Sequence, residues 1–289
     1  MKTKNKVLLY TTTKVIESFK NNFPGEMRKI HLYKMMYLLK LDLEKIGIAT
    51  KMPYYWYKYG PLLDVNTFYH ETKVPFYEFS PMGSHFVNKP TNPAEMTLPK
   101  KEMESIDETI DLLINQINQK LDFIPKSLDD PLTEVLLATT YETAPYEFQP
   151  VFRKFKNSLK NEYYGHPMHL FKSLTKLFPE DDFENILDLY LEWETVVDIA
   201  LDMNDLKFIE QLNTPFWEAF CYQMAPIKNE NLMQSTINSR IEDIVIEIPL
   251  KKETLYKLSS FFYKNLKENS PQSIEDVNKY YKILRENDF

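Results

Sequence analysis

Apolar residues recur at three- and four-residue spacing along most of the chain, which is the pattern of amphipathic helices. In the first half this spacing predicts helices over residues 5–21, 27–46, 101–121, 132–141 and 152–163. The second of these helices carries one apolar stripe and ends at Gly47, a residue that suits a left-handed helix cap. The stripe consists of Ile30, Tyr33, Met36, Tyr37 and Leu41, with His31, Lys34 and Lys40 on or near its edges.

The second half of the chain shows the same periodicity with one interruption. It predicts helices over residues 168–177, 182–203, 205–224, 230–241, 252–266 and 273–285. Residues 243–250 are the exception, because this short β-branched run is typical of a strand. We therefore expect a mainly α protein with a small β element. The weakly marked boundary at residues 161–166 divides it into an N-terminal domain, residues 1–163, and a helical C-terminal half, residues 164–289.

An aromatic run from Tyr54 to Pro61 supplies the β element. It places four tyrosines and Trp56 in six positions and then reaches Gly60-Pro61, which predicts a short strand ending in a tight turn. Six prolines make residues 61–100 irregular. Within them, residues 76–79 and 85–87 are predicted as short strands that pair beside the aromatic run.

Composition excludes several classes of site. The chain has 289 residues, of which 43% are hydrophobic, so it can bury a sizeable core. Its 5 glycines are scattered singly, which excludes glycine-rich phosphate loops and dinucleotide fingerprints. Its single cysteine, Cys221, excludes an intramolecular disulfide and a cysteine-rich zinc site, and its apolar surroundings predict a buried, inert thiol.

Charge is distributed unevenly. The chain has a net charge of −7, yet residues 1–60 contain 12 basic residues and 4 acids, while residues 180–210 contain 11 acids and one lysine. This asymmetry is compatible with solvated helix faces, with docking of one half on the other, or with steering of a charged partner. Neither a secretory signal nor an apolar stretch near 18 residues is present, so we expect a cytoplasmic protein without a membrane span.

Candidate chemistry is sparse. His166 and His169 have the spacing of two metal ligands on one helical turn, but the sequence fixes no third ligand. Asp243, Glu247 and Lys251 resemble a metal-dependent nuclease core only faintly, because such a core needs its lysine two residues after the second acid. His31, His70 and His85 have no neighbouring partners in sequence. We therefore expect no catalytic residue, no metal site, no cofactor and no enzyme.

Two kinds of partner fit the N-terminal residues. Arg28, Lys29, Lys34 and Lys40 beside an aromatic strand are equipped to contact nucleic acid through residues 1–60. Dense aromatic residues are equally typical of protein interfaces, and the chain as a whole is acidic.

The order of three motifs resembles the Panacea domain family of mainly helical, antitoxin-associated proteins. The Lys34-Met35-Met36-Tyr37 segment corresponds to the core of the family's second helix, and Tyr57-Lys58-Tyr59-Gly60-Pro61 to its aromatic strand end. Residues 140–146 correspond to a later Thr-His…Pro-Trp element, with Tyr141 in place of the histidine and Tyr146 in place of the tryptophan. The resemblance covers roughly residues 5–160.

The resemblance implies a non-enzymatic function. Members of the family neutralise a toxin, or serve as sensor or adaptor in a defence module, so we expect an antitoxin of a toxin–antitoxin system or a component of antiviral defence. A nucleic-acid-associated subunit of a larger defence or DNA-processing complex is the alternative. The residues predicted to contact a protein partner are Tyr54, Trp56, Tyr57, Tyr59, Lys34, Tyr37, Tyr141 and Tyr146.

Overall fold

The computed structural model describes residues 3–64, 67, 77–79, 86–88, 97–125, 127–224, 229–230 and 232–269. Within these residues the chain is mainly helical with two small antiparallel sheets, which confirms the predicted fold class. The α-helices are α1 (Thr3–Asn22), α2 (Lys29–Lys45), α3 (Lys100–Leu121), α4 (Pro131–Tyr141), α5 (Phe148–Ser158), α6 (Pro167–Leu174), α7 (Leu187–Asp202), α8 (Leu206–Met224) and α9 (Gln234–Asn269). The predicted helix over residues 273–285 lies outside the described residues.

Most predicted helices of the first half are confirmed, and α5 is the main correction. It begins four residues before the predicted start at Phe152 and ends at Ser158 instead of Tyr163. Pro150 stands in its first turn, where the backbone N–H that proline lacks has no intrahelical acceptor. The predicted bounds of this helix, residues 152–163, were therefore wrong. Residues Glu162–Tyr164 form a separate 3₁₀ turn.

The predicted strand over residues 243–250 was wrong, because these residues lie inside α9. Ile248, Leu255, Phe262 and Leu266 are buried at spacings of seven, seven and four residues, which is a helical pattern. Glu247 and Lys251 also form an ion pair one turn apart, 3.4 Å between Oε2 and Nζ. Burial along one helix face outweighs the β propensity of Ile244-Val245-Ile246 and the presence of Pro249 inside the helix.

The described chain forms two compact units. The first consists of residues 1–154 and 224–243, and the second of residues 155–223 and 244–289. Helices α5 and α9, and α8 through its last residue Met224, therefore contribute residues to both units. The division at residues 163 and 164 into two functional domains stays a prediction.

Helix α2 lies at the centre of the first unit. It packs against α1, α3, α4 and β2 (Gly60–Leu63). Every residue from His31 to Lys40 is buried, so the predicted single stripe was wrong: the helix is enclosed around its whole circumference, and Lys34 and Lys40 are enclosed with it. By contrast, α3 has the predicted amphipathic face, with Ile106, Ile110 and Ile117 buried.

The aromatic run forms strand β1 (Tyr54–Tyr57) of a three-stranded antiparallel sheet. Its order is β2–β1–β5, where β5 is Asn229–Glu230. Gly60 and Pro61 begin the returning strand β2, so the prediction that they form the turn was wrong by two residues. Strands β3 (Tyr77–Phe79) and β4 (Phe86–Asn88) pair with each other as predicted, but in a separate sheet and not beside β1.

The second unit is built around stacked aromatic rings. Trp193 of α7 stacks on Phe216 of α8 with 4.5 Å between ring centroids, and its indole N–H donates to Asn213 Oδ1 at 2.9 Å. Phe183 stacks on Phe220 at 4.3 Å, and Cys221 is buried beside it in sequence, as predicted. None of the helices in the described part of the chain has the length and apolarity needed to cross a bilayer.

Candidate functional site

The tip of the β1–β2 hairpin is the point at which the three motifs of the sequence meet. Tyr57 pairs with Gly60 across a two-residue turn formed by Lys58 and Tyr59. Gly60 has φ of +80°, the left-handed conformation that the residue after such a turn adopts in a G1 bulge. The side chain of Tyr59 is 55% exposed, so the tip presents one aromatic ring to solvent.

Lys34 of α2 holds this tip from inside. Its Nζ donates hydrogen bonds to the backbone carbonyls of Tyr59 and Pro61, the second at 3.0 Å. The side chain is completely buried, and among the described residues no carboxylate forms an ion pair with it. Removal from water lowers the pKa of the Lys34 amine from its usual value near 10.5 to about 7.

The absence of a side chain at Gly60 allows the lysine to approach. A Cβ atom at Gly60 would lie 3.2 Å from Lys34 Nζ and 3.5 Å from both Thr140 Cγ2 and Trp56 Cζ3. The position therefore needs glycine for two reasons, which are the left-handed backbone and the close contact with Nζ.

Tyr141 holds the same turn from α4. Its hydroxyl donates to the backbone carbonyl of Lys58 at 3.1 Å. Its ring packs against Trp56 in a T-shaped arrangement with 6.2 Å between ring centroids. Tyr37 of α2 packs against Trp56 in the same arrangement, with 5.8 Å between centroids. All three rings are buried, so the hairpin rests on an aromatic base that α2 and α4 share.

The structure divides the eight predicted contact residues into two groups. Lys34, Tyr37, Tyr54, Trp56 and Tyr141 are buried in the first unit, where their side chains contact the hairpin or one another. Tyr59 is exposed, and Tyr57 and Tyr146 are half-buried. Alternation along β1 separates Tyr54 and Trp56, which face inward, from Tyr55 and Tyr57. Contact of any of these residues with a partner stays a prediction.

A second polar cluster joins the beginning of α2 to the beginning of α4. Arg28 forms a salt bridge with Asp130 and donates to Thr133 Oγ1. Nδ1 of His31 accepts from the Arg28 backbone N–H at 3.3 Å, and Nε2 lies 3.0 Å from Thr133 Oγ1 and 3.1 Å from a guanidinium nitrogen of Arg28. Burial, and then the nearby Arg28, lower the pKa of His31 to about 4, so this histidine is neutral near pH 7.

The partners of His31 could not be found from sequence. Thr133 lies 102 residues away, and only the packing of α2 on α4 brings it to the ring. The capping role of Asp130, in contrast, follows from its place before Pro131: its carboxylate accepts from the Thr133 N–H at 3.2 Å. His70 and His85 lie outside the described residues.

The remaining candidate chemistry lies at the beginning of α6 and on α9. The His166 and His169 rings are 5.3 Å apart between centroids, and no group of three or more metal-ligating side chains occurs among the described residues. Asp243, Glu247 and Lys251 lie on helix α9 instead of a strand, and Lys251 Nζ contacts Glu218 Oε2 of α8 at 2.8 Å.

Comparison with models of protein families, with curated proteins and with solved structures finds no significant match to this chain.

Proposed function

We propose that this chain is a non-enzymatic protein-binding module and that the tip of the β1–β2 hairpin is part of its docking surface. The supporting observation is the way the tip is held. Lys34 of α2 and Tyr141 of α4 bind three consecutive or near-consecutive backbone carbonyls beneath an exposed Tyr59. An aromatic side chain on a backbone that is already ordered loses little entropy when a partner binds it.

We further propose that the partner is a toxin or a subunit of a phage-defence complex in the cytoplasm. This part of the proposal depends on the resemblance to the Panacea domain family. The segments that carry the resemblance are separated by 25 and 83 residues along the chain, and they contact one another at the hairpin. Residues of a family motif that share one structural site are expected to meet in this way.

The placement of the basic residues favours a protein partner over nucleic acid. The nucleic-acid alternative depends on Arg28, Lys29, Lys34 and Lys40. Lys34 and Lys40 are buried, and Arg28 forms its salt bridge with Asp130, so three of the four are engaged inside the first unit. Phosphate contacts require basic groups that can release counterions at the surface.

The proposal is tested by co-expressing the chain with the product of the adjacent gene. We expect a complex and relief of that product's toxicity. Tyr59→Ala should weaken the complex by about tenfold or more, since an aromatic anchor at an interface contributes more than 1 kcal/mol. Tyr163→Ala is the matched control, because Tyr163 is an exposed tyrosine of the second unit and its loss should leave affinity within about twofold.

Two results would overturn the proposal. The absence of both a complex and relief of toxicity would remove the toxin–antitoxin assignment. A complex that Tyr59→Ala and Tyr163→Ala weaken equally would remove the hairpin tip as the docking surface. Binding of DNA with an affinity that falls steeply with salt would support the nucleic-acid alternative instead.

A further inference from the structure

The hydrogen bonds of Lys34 match a neutral amine better than an ammonium ion. A neutral lysine has two N–H donors, whereas the ammonium form has three. Lys34 Nζ meets two acceptors, the carbonyls of Tyr59 and Pro61, and its side chain is completely buried. In the charged form one N–H of this completely buried group would therefore have no acceptor among the described residues, which is costly.

No neighbouring charge offsets this cost among the described residues. The surrounding elements carry many titratable and charged groups, among them Lys58 on the hairpin, Tyr141 and Glu134 on α4, Arg153 on α5, Tyr10 on α1, Asp107 on α3, and His31, Tyr37 and Lys40 on α2. Their carboxylates are engaged elsewhere: Glu134 pairs with Arg153, and Asp107 accepts from the Tyr10 hydroxyl. Burial is accordingly the one cause that lowers the pKa of Lys34 to about 7.

We propose that Lys34 holds the β1–β2 hairpin as a neutral amine and that opening of the hairpin takes up one proton, so that acidification loosens the tip that carries Tyr59. In the closed hairpin the buried amine is uncharged above about pH 7. In the open hairpin Lys34 reaches water and regains the ordinary basicity of a lysine, with a pKa near 10.4. The open form thus binds a proton more tightly than the closed form does.

Proton linkage fixes the direction and range of the effect. Between about pH 10 and pH 7 the open hairpin holds one proton more than the closed hairpin, so the ratio of open to closed molecules rises up to tenfold for each unit of pH that is lost. Below about pH 7 both forms are protonated, and the ratio levels off. His31 does not contribute in this range, because its own pKa is near 4.

The consequence for binding depends on the proposed function, since it requires that a partner docks on the hairpin tip. A partner that recognises the closed tip would then bind more weakly toward pH 7 than at higher pH. The hairpin equilibrium itself can be measured without any partner, so failure of one proposal can be told from failure of the other.

The experiment uses the full chain labelled with ¹⁵N-glycine alone, which gives at most five amide signals because the chain has 5 glycines. We expect the Gly60 amide shift to change with a midpoint near pH 7, while Gly25 and Gly47 stay unchanged. Hydrogen exchange of residues 54–63, corrected for base catalysis of the intrinsic rate, should report the tenfold change per pH unit above the midpoint. Lys34→Met should abolish both effects.

Two results would overturn the proposal. The first is that neither the Gly60 amide shift nor the ratio of open to closed hairpin changes between about pH 6 and pH 10 in the unmodified chain. This result does not depend on the folding of any variant. The second is a titration that persists in Lys34→Met. If Lys34→Met fails to fold, Lys34→Gln serves as the second uncharged variant, with the same expectation.

Discussion

Two lysines of this chain occupy opposite surroundings, one in each compact unit. Lys34 meets two backbone carbonyls and no described carboxylate, and burial lowers the pKa of its amine to about 7. Lys251 of α9 lies 2.8 Å from Glu218 and 3.4 Å from Glu247, measured from Nζ to Oε2, and the hydrogen bond to Glu218 is the largest cause that raises its pKa. The same residue type loses its proton near pH 7 in one unit and is a paired cation in the other.

The difference shows that a lysine's role depends on the acceptors that its nitrogen meets. Carboxylates stabilise the ammonium form, so Lys251 connects α8 and α9 as an ion pair that salt and solvent weaken. Burial without a described carboxylate partner disfavours the ammonium form at Lys34, so above about pH 7 this residue connects α2 to the hairpin as a neutral group. A permanent positive charge should therefore lower the unfolding free energy at Lys34 and leave it nearly unchanged at Lys251.

The largest expected effect comes from making the charge permanent at Lys34. Lys34→Arg adds volume and a guanidinium that stays protonated, so we expect a loss of about 3 kcal/mol or more in the unfolding free energy of the first unit. Lys251→Arg keeps both carboxylate partners and should change the stability of the second unit by less than about 0.5 kcal/mol. Urea unfolding followed at the Gly60 and Gly165 amides measures the two units separately. Equal losses at both positions would contradict the comparison.

A smaller effect is expected from closing the space above Lys34. Gly60→Ala places a Cβ atom 3.2 Å from Nζ on a backbone with φ of +80°. Gly47→Ala is the matched control, because Gly47 has φ of +83° and no atom within 4 Å of the added Cβ. We expect about 1 kcal/mol from left-handed strain in both variants, and about 1 kcal/mol more in Gly60→Ala from the close contact. Equal unfolding free energies of the two variants would show that the Lys34 side chain moves away from the added Cβ atom at no cost.

The smallest effect is expected from the second hydrogen bond to the turn. Tyr141→Phe removes the hydroxyl that donates to the Lys58 carbonyl, which should cost about 1 kcal/mol in hairpin opening measured by hydrogen exchange. Tyr163→Phe removes an exposed hydroxyl of the second unit and should have no measurable effect. If Tyr141→Phe lowered the free energy of hairpin opening as much as Lys34→Arg or more, Tyr141 and not Lys34 would be the main residue that stabilises the turn.

Sequence periodicity correctly predicted the helices that have one buried face and one solvent-exposed face. Helix α3 is the clearest example, because Ile106, Ile110 and Ile117 mark a single buried face. For α2 periodicity predicted the helix but not its burial on all sides, which has no periodic signature when lysines are among the enclosed residues. Periodicity failed for α9, where the Ile244-Val245-Ile246 run has strand propensity and only packing on α8 decides for a helix.

The candidate site was predicted in its parts but not in its geometry. The resemblance selected the Lys34, Gly60 and Tyr141 segments from their order along the chain. It could not show that Lys34 lies beneath the tip with no carboxylate partner among the described residues, because the register of α2 on β2 sets that contact. For the same reason, the division of the eight predicted residues into buried and exposed groups required the alternation of β1 and the position of α4.

The most direct test of the central claim is the charge state of Lys34 itself. In protein labelled with ¹³C,¹⁵N-lysine, the Lys34 Cε and Nζ signals are identified by their loss in Lys34→Met and followed with pH. We expect a transition from amine to ammonium with a midpoint near pH 7, while Lys251 stays charged to a pH above the ordinary lysine range. A Lys34 transition at or above about pH 10, together with that of the solvent-exposed lysines, would contradict the central claim.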